Sequence, residues 1–196
     1  MSKSDAGAAK KSRNKTIRWV VTIFIVTILI SALISFVSDE IMDFSSVAVA
    51  FVILLTIVFL GIIFDIVGVA VTSADEKPFH SMAARKVPGA MEAIRMLRNA
   101  ERVSSICNDV VGDICGVISG SAAAAIASKV LGNLDNIATL EDAVPLALSA
   151  LVAGITVGGK AIGKTFAMNS SIPIVATVGK TIWFFRRLPN LFKKKK

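Results

Sequence analysis

Two uninterrupted apolar runs constrain this chain more than any other feature. Ile17–Val37 carries a single charge, Arg18, and Ser46–Phe64 carries none. A helix needs about 20 residues to cross the hydrocarbon core of a bilayer, and each run has that length. The first is too long for a cleaved signal peptide, and no small-residue cleavage site follows it. Arg18 and Trp19 are placed to anchor its cytoplasmic end. A third apolar stretch covers Val103–Leu131 and a fourth Ala143–Val157, running on toward Met168. The expected fold class is an all-α integral membrane protein with four transmembrane helices and a cytoplasmic amphipathic helical hairpin. Composition agrees. Of 196 residues 54% are hydrophobic and only 18% charged, which excludes a disordered chain, and two cysteines exclude a disulfide-built scaffold.

Charge between the runs sets an orientation. Lys10, Lys11, Arg13 and Lys15 precede the first run, and Lys77, Arg85, Lys86, Arg95, Arg98 and Arg102 follow the second. Arg186, Arg187 and Lys193–Lys196 close the chain. The other two linkers hold Asp39, Glu40 and Asp43, and Asp135, Glu141 and Asp142; Lys129 alone dissents. Lys and Arg mark the cytoplasmic side, so both termini are expected there, in the plasma (cytoplasmic) membrane. The net charge of +8 divides unevenly: residues 1–18 hold six cations against Asp5, residues 186–196 hold six more, and the body is net negative. The tails therefore point to an anionic inner leaflet as partner, and nucleic acid is not expected. The domain reading is a basic tail at 1–16, an extra N-terminal span at 17–37, a core at 47–185 and a basic tail at 186–196.

The cytoplasmic segment Ser73–Arg102 reads as two short helices, a hairpin over 74–101 broken at Pro88-Gly89. Ser73-Ala-Asp-Glu76 fits a capping box. The second helix sets Ala90, Ile94, Leu97 and Val103 against Glu92, Arg95 and Arg98, a face that can lie in the membrane interface or pack under the bundle. The aromatic and cationic stretch from Ile182 to Lys193 reads similarly.

Ionisable groups inside spans are costly unless paired, so they mark a pathway or a partner. Asp65 ends an apolar run, and Asp109 and Asp113 stand at i,i+4 beside Asn108. Gly112, Gly116 and Gly120 form a small-residue pattern for close helix approach, as do Gly154 and Gly158, with Gly159 and Gly163 following. One reading is a cation site of Asp65, Asn108, Asp109 and Asp113, whose oxygen-only donors suit a hard ion such as Mg²⁺. The other is that these acids pair with Lys160, Lys164 or the belt arginines. Gly158–Thr165 also satisfies the phosphate-loop pattern GxxxxGK[ST], but no strand–loop–helix context surrounds it, so no nucleotide is expected. Cys107, Cys115 and His80 have no zinc spacing or catalytic set around them, so an enzyme is not expected.

From about Phe59 to Phe192 the order of landmarks resembles the transmembrane domain of the CNNM/CorC magnesium transport proteins. Asp65-Ile-Val-Gly-Val-Ala-Val-Thr72-Ser73 corresponds to the signature that ends the family's first core helix. The basic hairpin from Met82 to Arg102 follows, then Ser104-Ser-Ile-Cys107-Asn108-Asp109, then Gly159-Lys160-Ala-Ile-Gly163-Lys164 where the family's third core helix breaks. The resemblance implies a homodimer that transports Mg²⁺, its ion held by Asp65, Asn108, Asp109 and the backbone near Gly159. It also implies differences. Asp65 replaces a serine, Asp109 an amide, Gly163 a proline, and Lys160 stands where the family has glutamate; the family's nucleotide-sensing CBS domains are not present in this sequence. Lys160 is then expected as a gating charge partner that enters when the ion leaves. The alternative is a non-transporting membrane subunit or regulator in which Asp–Lys pairs are structural.

Overall fold

Residues 47–64 carry no charge and, apart from Thr56, no polar side chain, which leaves a single segment in an apolar medium no way to satisfy its own backbone except as a helix. The computed structural model describes residues 17–36, 46–132 and 143–193. The basic tail 1–16, Val37, the linker acids Asp39, Glu40, Asp43, Asp135, Glu141 and Asp142, and residues 194–196 lie outside the described residues. Helix α1 is Ile17–Phe36. Helix α2 (Val47–Ser73) starts where the Ser46 hydroxyl accepts from Val49 N–H. Then come α3 (Lys77–Ala84), α4 (Ala90–Leu97), α5 (Ala100–Ser105), a π-helical segment (Ile106–Gly112), α6 (Asp113–Gly132), α7 (Ala143–Asn169) and α8 (Ser171–Lys193). No strand occurs among the described residues.

Four helices are long and apolar enough to cross a membrane: Ile17–Phe36, Val47–Ser73, the continuous Ala100–Gly132, and Ala143–Asn169. They suggest a multi-pass membrane protein. The spans expected from the sequence match them, apart from Ser46, which caps α2, and Val37, which is not described; α2 runs nine residues past Phe64, and α7 runs past Val157 to Asn169. The fourth does not break at Gly158–Gly163, since α7 continues to Asn169.

Helices α2, α6 and α7 pack against one another pairwise. Their core joins Ala50, Leu54 and Val58 of α2 to Ala122, Ala123 and Ile126 of α6 and Val152 of α7. Alanines on α6 let the axes approach closely, which substitutes for the hydrophobic drive that lipid does not supply. Helix α1 joins through Ile23, against Val110, Ile114 and Ile118, and through Trp19, whose ring lies 5.2 Å from the Arg102 guanidinium.

The two short helices separate at Pro88-Gly89 as the sequence indicates, and they pack under the bundle. Phe79, Ala93, Ile94 and Met96 are buried with Ala70 and Val71 of α2 and Val175 of α8. Helix α3 ends in a Schellman motif: Lys86 N–H donates to Ala83 O, Val87 N–H donates to Met82 O, and Lys86 takes φ 57°. Gly89 follows at φ 87°, and α8 crosses it so closely that a β-carbon on Gly179 would lie 2.6 Å from the Gly89 carbonyl.

The expected capping box is absent. Ser73 is still the last residue of α2, so α3 begins from Glu76, and that carboxylate is drawn elsewhere. It accepts from Arg98 Nε at 2.8 Å and lies 2.9 Å from His80 Nε2. The Arg98 hydrogen bond, foremost, holds the Glu76 carboxyl below the usual glutamate range, with Arg98 and His80 charge adding to it. A lowered native pKa stabilises the fold above the unfolded glutamate value and stops doing so as pH falls through the native one. The protection of the α3 amides, taken relative to the intrinsic exchange rate at each pH, is therefore expected to fall on acidification through that window, and Glu76→Gln to flatten the dependence.

Candidate functional site

Asp65 is the one charged residue that is buried among the described residues. It opens the last third of α2, and the residue is 4% exposed. The helical spacing of Gly61, Asp65 and Gly68 puts all three on one face of α2, turned toward the helix that holds Asn108 and Cys115. A β-carbon at Gly61 would lie 3.0 Å from Cys115 Cβ, and one at Gly68 would overlap the Asn108 amide. The two glycines thus let the neighbouring backbone come in on either side of the carboxylate.

The site residues on the opposite helix sit at a departure from α geometry. Ile106–Gly112 is π-helical, a rare conformation that is frequent at functional sites. Asn108 is half-buried, its Nδ2 donating to Ser104 Oγ at 3.3 Å. Its Oδ1 is buried and has no hydrogen-bond donor, and the same is true of Asp65 Oδ2. Two buried acceptors without donors, about one turn apart against the same helix, form the most unusual polar feature among the described residues.

Helix α7 brings two cations to this level. Lys164 Nζ is 3.9 Å from Asp65 Oδ2, an ion pair too long for a hydrogen bond, and the lysine side chain is 53% exposed. Lys160, one turn earlier, has its Nζ 3.4 Å from where a β-carbon on Gly112 would be. Among the described residues the cation paired with Asp65 is therefore Lys164, one of the partners the sequence offered, and Lys160, expected as the gating partner, lies toward Gly112 instead.

The four oxygen donors expected from the sequence are not brought together. Asp109 and Asp113 share a helix face, but it is the exposed one: Asp109 accepts from Ser105 Oγ at 2.8 Å, and Asp113 faces outward one turn on. Among the described residues no group of three or more His, Cys, Asp or Glu could hold a metal ion. Gly159 does not offer a free carbonyl either. It lies within the unbroken α7, where a β-carbon would run into Ile62. The whole Gly158–Thr165 stretch is helical, so the amides a phosphate loop would present are engaged in the helix.

The packing glycines also need correction. Gly112 is buried, but Gly116, Gly120, Gly154 and Gly158 have no neighbour within 4 Å of an added β-carbon. The close approaches are made by Gly61, Gly68, Gly159 and Gly163, the last two against Ile62 and Ile66 of α2. The reason is geometric: a four-residue step overshoots a 3.6-residue turn by about 40°, so a stripe spaced by fours winds off the buried face. Compared with protein-family models and with curated proteins, the chain matches none.

Proposed function

We propose that this chain is a multi-pass membrane protein that binds and passes a small inorganic cation through a site at Asp65 and Asn108. Magnesium is the candidate ion that the resemblance to the CNNM/CorC proteins implies. The observation that carries the reading is the pair of buried, donorless oxygens, Asp65 Oδ2 and Asn108 Oδ1. A hydrated cation supplies what such acceptors take, through the metal itself or through the water it keeps. Ser104 and Thr72 lie one turn from Asn108 and Gly68 and bring hydroxyls to the same neighbourhood.

In this reading Lys164 is the resident counter-charge. Its ammonium neutralises Asp65 from 3.9 Å without occupying the carboxylate's hydrogen-bonding position, so an arriving ion can displace it toward the water it already reaches. Lys160 guards the α6 side at Gly112. A divalent ion facing one carboxylate and two lysines keeps much of its hydration, which suits magnesium's reluctance to dehydrate. Lys and Arg flank α1 and fill residues 77–102, which supports an orientation with both termini and the α3–α4 hairpin in the cytoplasm, next to an anionic leaflet.

The second reading, a non-transporting subunit with a structural Asp–Lys pair, is favoured by the same Lys164 contact. A structural pair, however, is stabilising only when its remaining lone pairs are satisfied, and here one is not. Flux of Mg²⁺ into proteoliposomes separates the two. Asn108→Leu, which fills the pocket with apolar volume, is expected to lower flux about tenfold, the equivalent of one lost ligand bond of roughly 1.5 kcal/mol. Unchanged flux in that variant sinks the site.

A further inference from the structure

A cavity opens where α8 crosses the turn between α3 and α4. The backbones meet at Gly89 and Gly179, and the side chains flanking this crossing leave a space of about 160 Å³. Phe79 and Met82 of α3, Val87 of the turn, Ala90 of α4, and Thr177 and Lys180 of α8 line it. The walls are apolar, and the one charged group among them is Lys180. The segments around it add cations only. Helix α3, residues 85–89 and α8 contain no Asp or Glu, and Arg85 and Lys86 directly precede Val87. The acid of α4, Glu92, is paired with Arg95 at 3.6 Å.

The setting of the cavity selects its occupant. Thr177, Lys180, Phe184 and Arg187 recur at three- and four-residue steps, so they lie along one side of α8, and all four are exposed. The other side packs into the protein through Val175 and Gly179. Trp183 borders the exposed side, its ring 5.1 Å from the Arg187 guanidinium. Helix α8 is not among the helices apolar enough to cross a membrane. Aromatic rings and cations along one face instead suit a helix lying between headgroups and acyl chains. An apolar cavity of about 150 Å³ takes a molecule of roughly six carbons. A ligand here therefore needs a slender apolar end and an anionic group beside it.

We propose that the cavity seats part of one acyl chain of an anionic phospholipid, whose phosphate is bound by Lys180, with Arg187 two turns along the same side. This is a discrete site, unlike the diffuse attraction of the basic tails for the leaflet: one lipid per chain, selected by charge and held by burial. The inference stands apart from the cation reading, because neither Asp65 nor Asn108 contributes to it.

The test titrates phosphatidylglycerol into the full-length chain in nonionic detergent at about 1 M salt, where screening confines the attraction of the tails to about 3 Å. Binding is expected to saturate at one lipid per chain, with phosphatidylcholine of the same chain length about tenfold weaker. Lys180→Gln removes the cation, and Thr177→Trp and Val87→Trp fill the cavity from opposite walls at exposed positions. Each should keep the wild-type melting temperature without lipid and weaken binding about tenfold. Arg95→Gln, which removes an exposed cation outside the cavity, should leave binding unchanged. Equal binding of the two lipids, full affinity in both tryptophan variants, or a loss in Arg95→Gln as large as in Lys180→Gln would overturn the proposal. So would glycerol phosphate binding as tightly as the lipid, because the site would then take a phosphate without a chain.

Discussion

Asp65→Asn is expected to lower cation flux in proteoliposomes about 10- to 100-fold, the equivalent of the roughly 1.5–3 kcal/mol that a bond to a charged group contributes. It is expected to do so without lowering thermal stability. The two halves belong together. Asp65 is 4% exposed, its nearest cation is 3.9 Å away, and one of its oxygens has no donor. A buried charge held that loosely costs stability, so a neutral side chain of the same shape should melt at the same temperature or higher. Loss of flux with retained or increased stability is the signature of a site kept for its ligand. A structural role predicts the opposite pairing, with flux unaffected and melting lowered.

Lys164→Met should act in the other direction. Two unit charges about 4 Å apart interact by ~4 kcal/mol at an effective dielectric of 20, but half of this lysine is in contact with solvent, which screens most of that. Removing it is expected to raise apparent cation affinity about tenfold, the equivalent of ~1.4 kcal/mol. Equilibrium titration with Mg²⁺ at low and high monovalent salt reads this. The difference between wild type and variant should shrink as salt rises, because the wild type's own repulsion is being screened. If Lys164 instead locks the bundle, the methionine variant binds no better and unfolds earlier.

Much of the fold was legible because apolar length is a coarse, additive signal. Residues 17–36 and 47–64 could form nothing else, and Pro88-Gly89 announced the break between α3 and α4. The misread positions are those where a spacing rule met a neighbour the rule does not contain. Ser73 and Glu76 have capping-box spacing, but α2 claims Ser73 and Arg98, distant in sequence, claims Glu76. Asp109 and Asp113 do share a face, yet spacing cannot say whether a face turns inward, and the π-helical segment before Gly112 is invisible to a fixed 3.6-residue period. Of the residues expected at the site on this helix, Asn108 is the inward one and Asp109 and Asp113 are exposed. The partnership of Gly61 and Gly68 with Asp65 is written in the sequence as three positions on one face of one helix, spaced by four and three residues and so outside a strict four-residue glycine pattern.

The central claim is that a cation moves through this protein by way of Asp65. The most direct test loads proteoliposomes with an ion-sensitive dye and measures Mg²⁺, Na⁺ and K⁺ entry for the wild type, for Asp65→Asn and for protein-free vesicles. The account predicts entry of at least one of these ions well above the protein-free rate with the wild type, falling back toward it in Asp65→Asn. Wild-type entry of all three at the protein-free rate would contradict it.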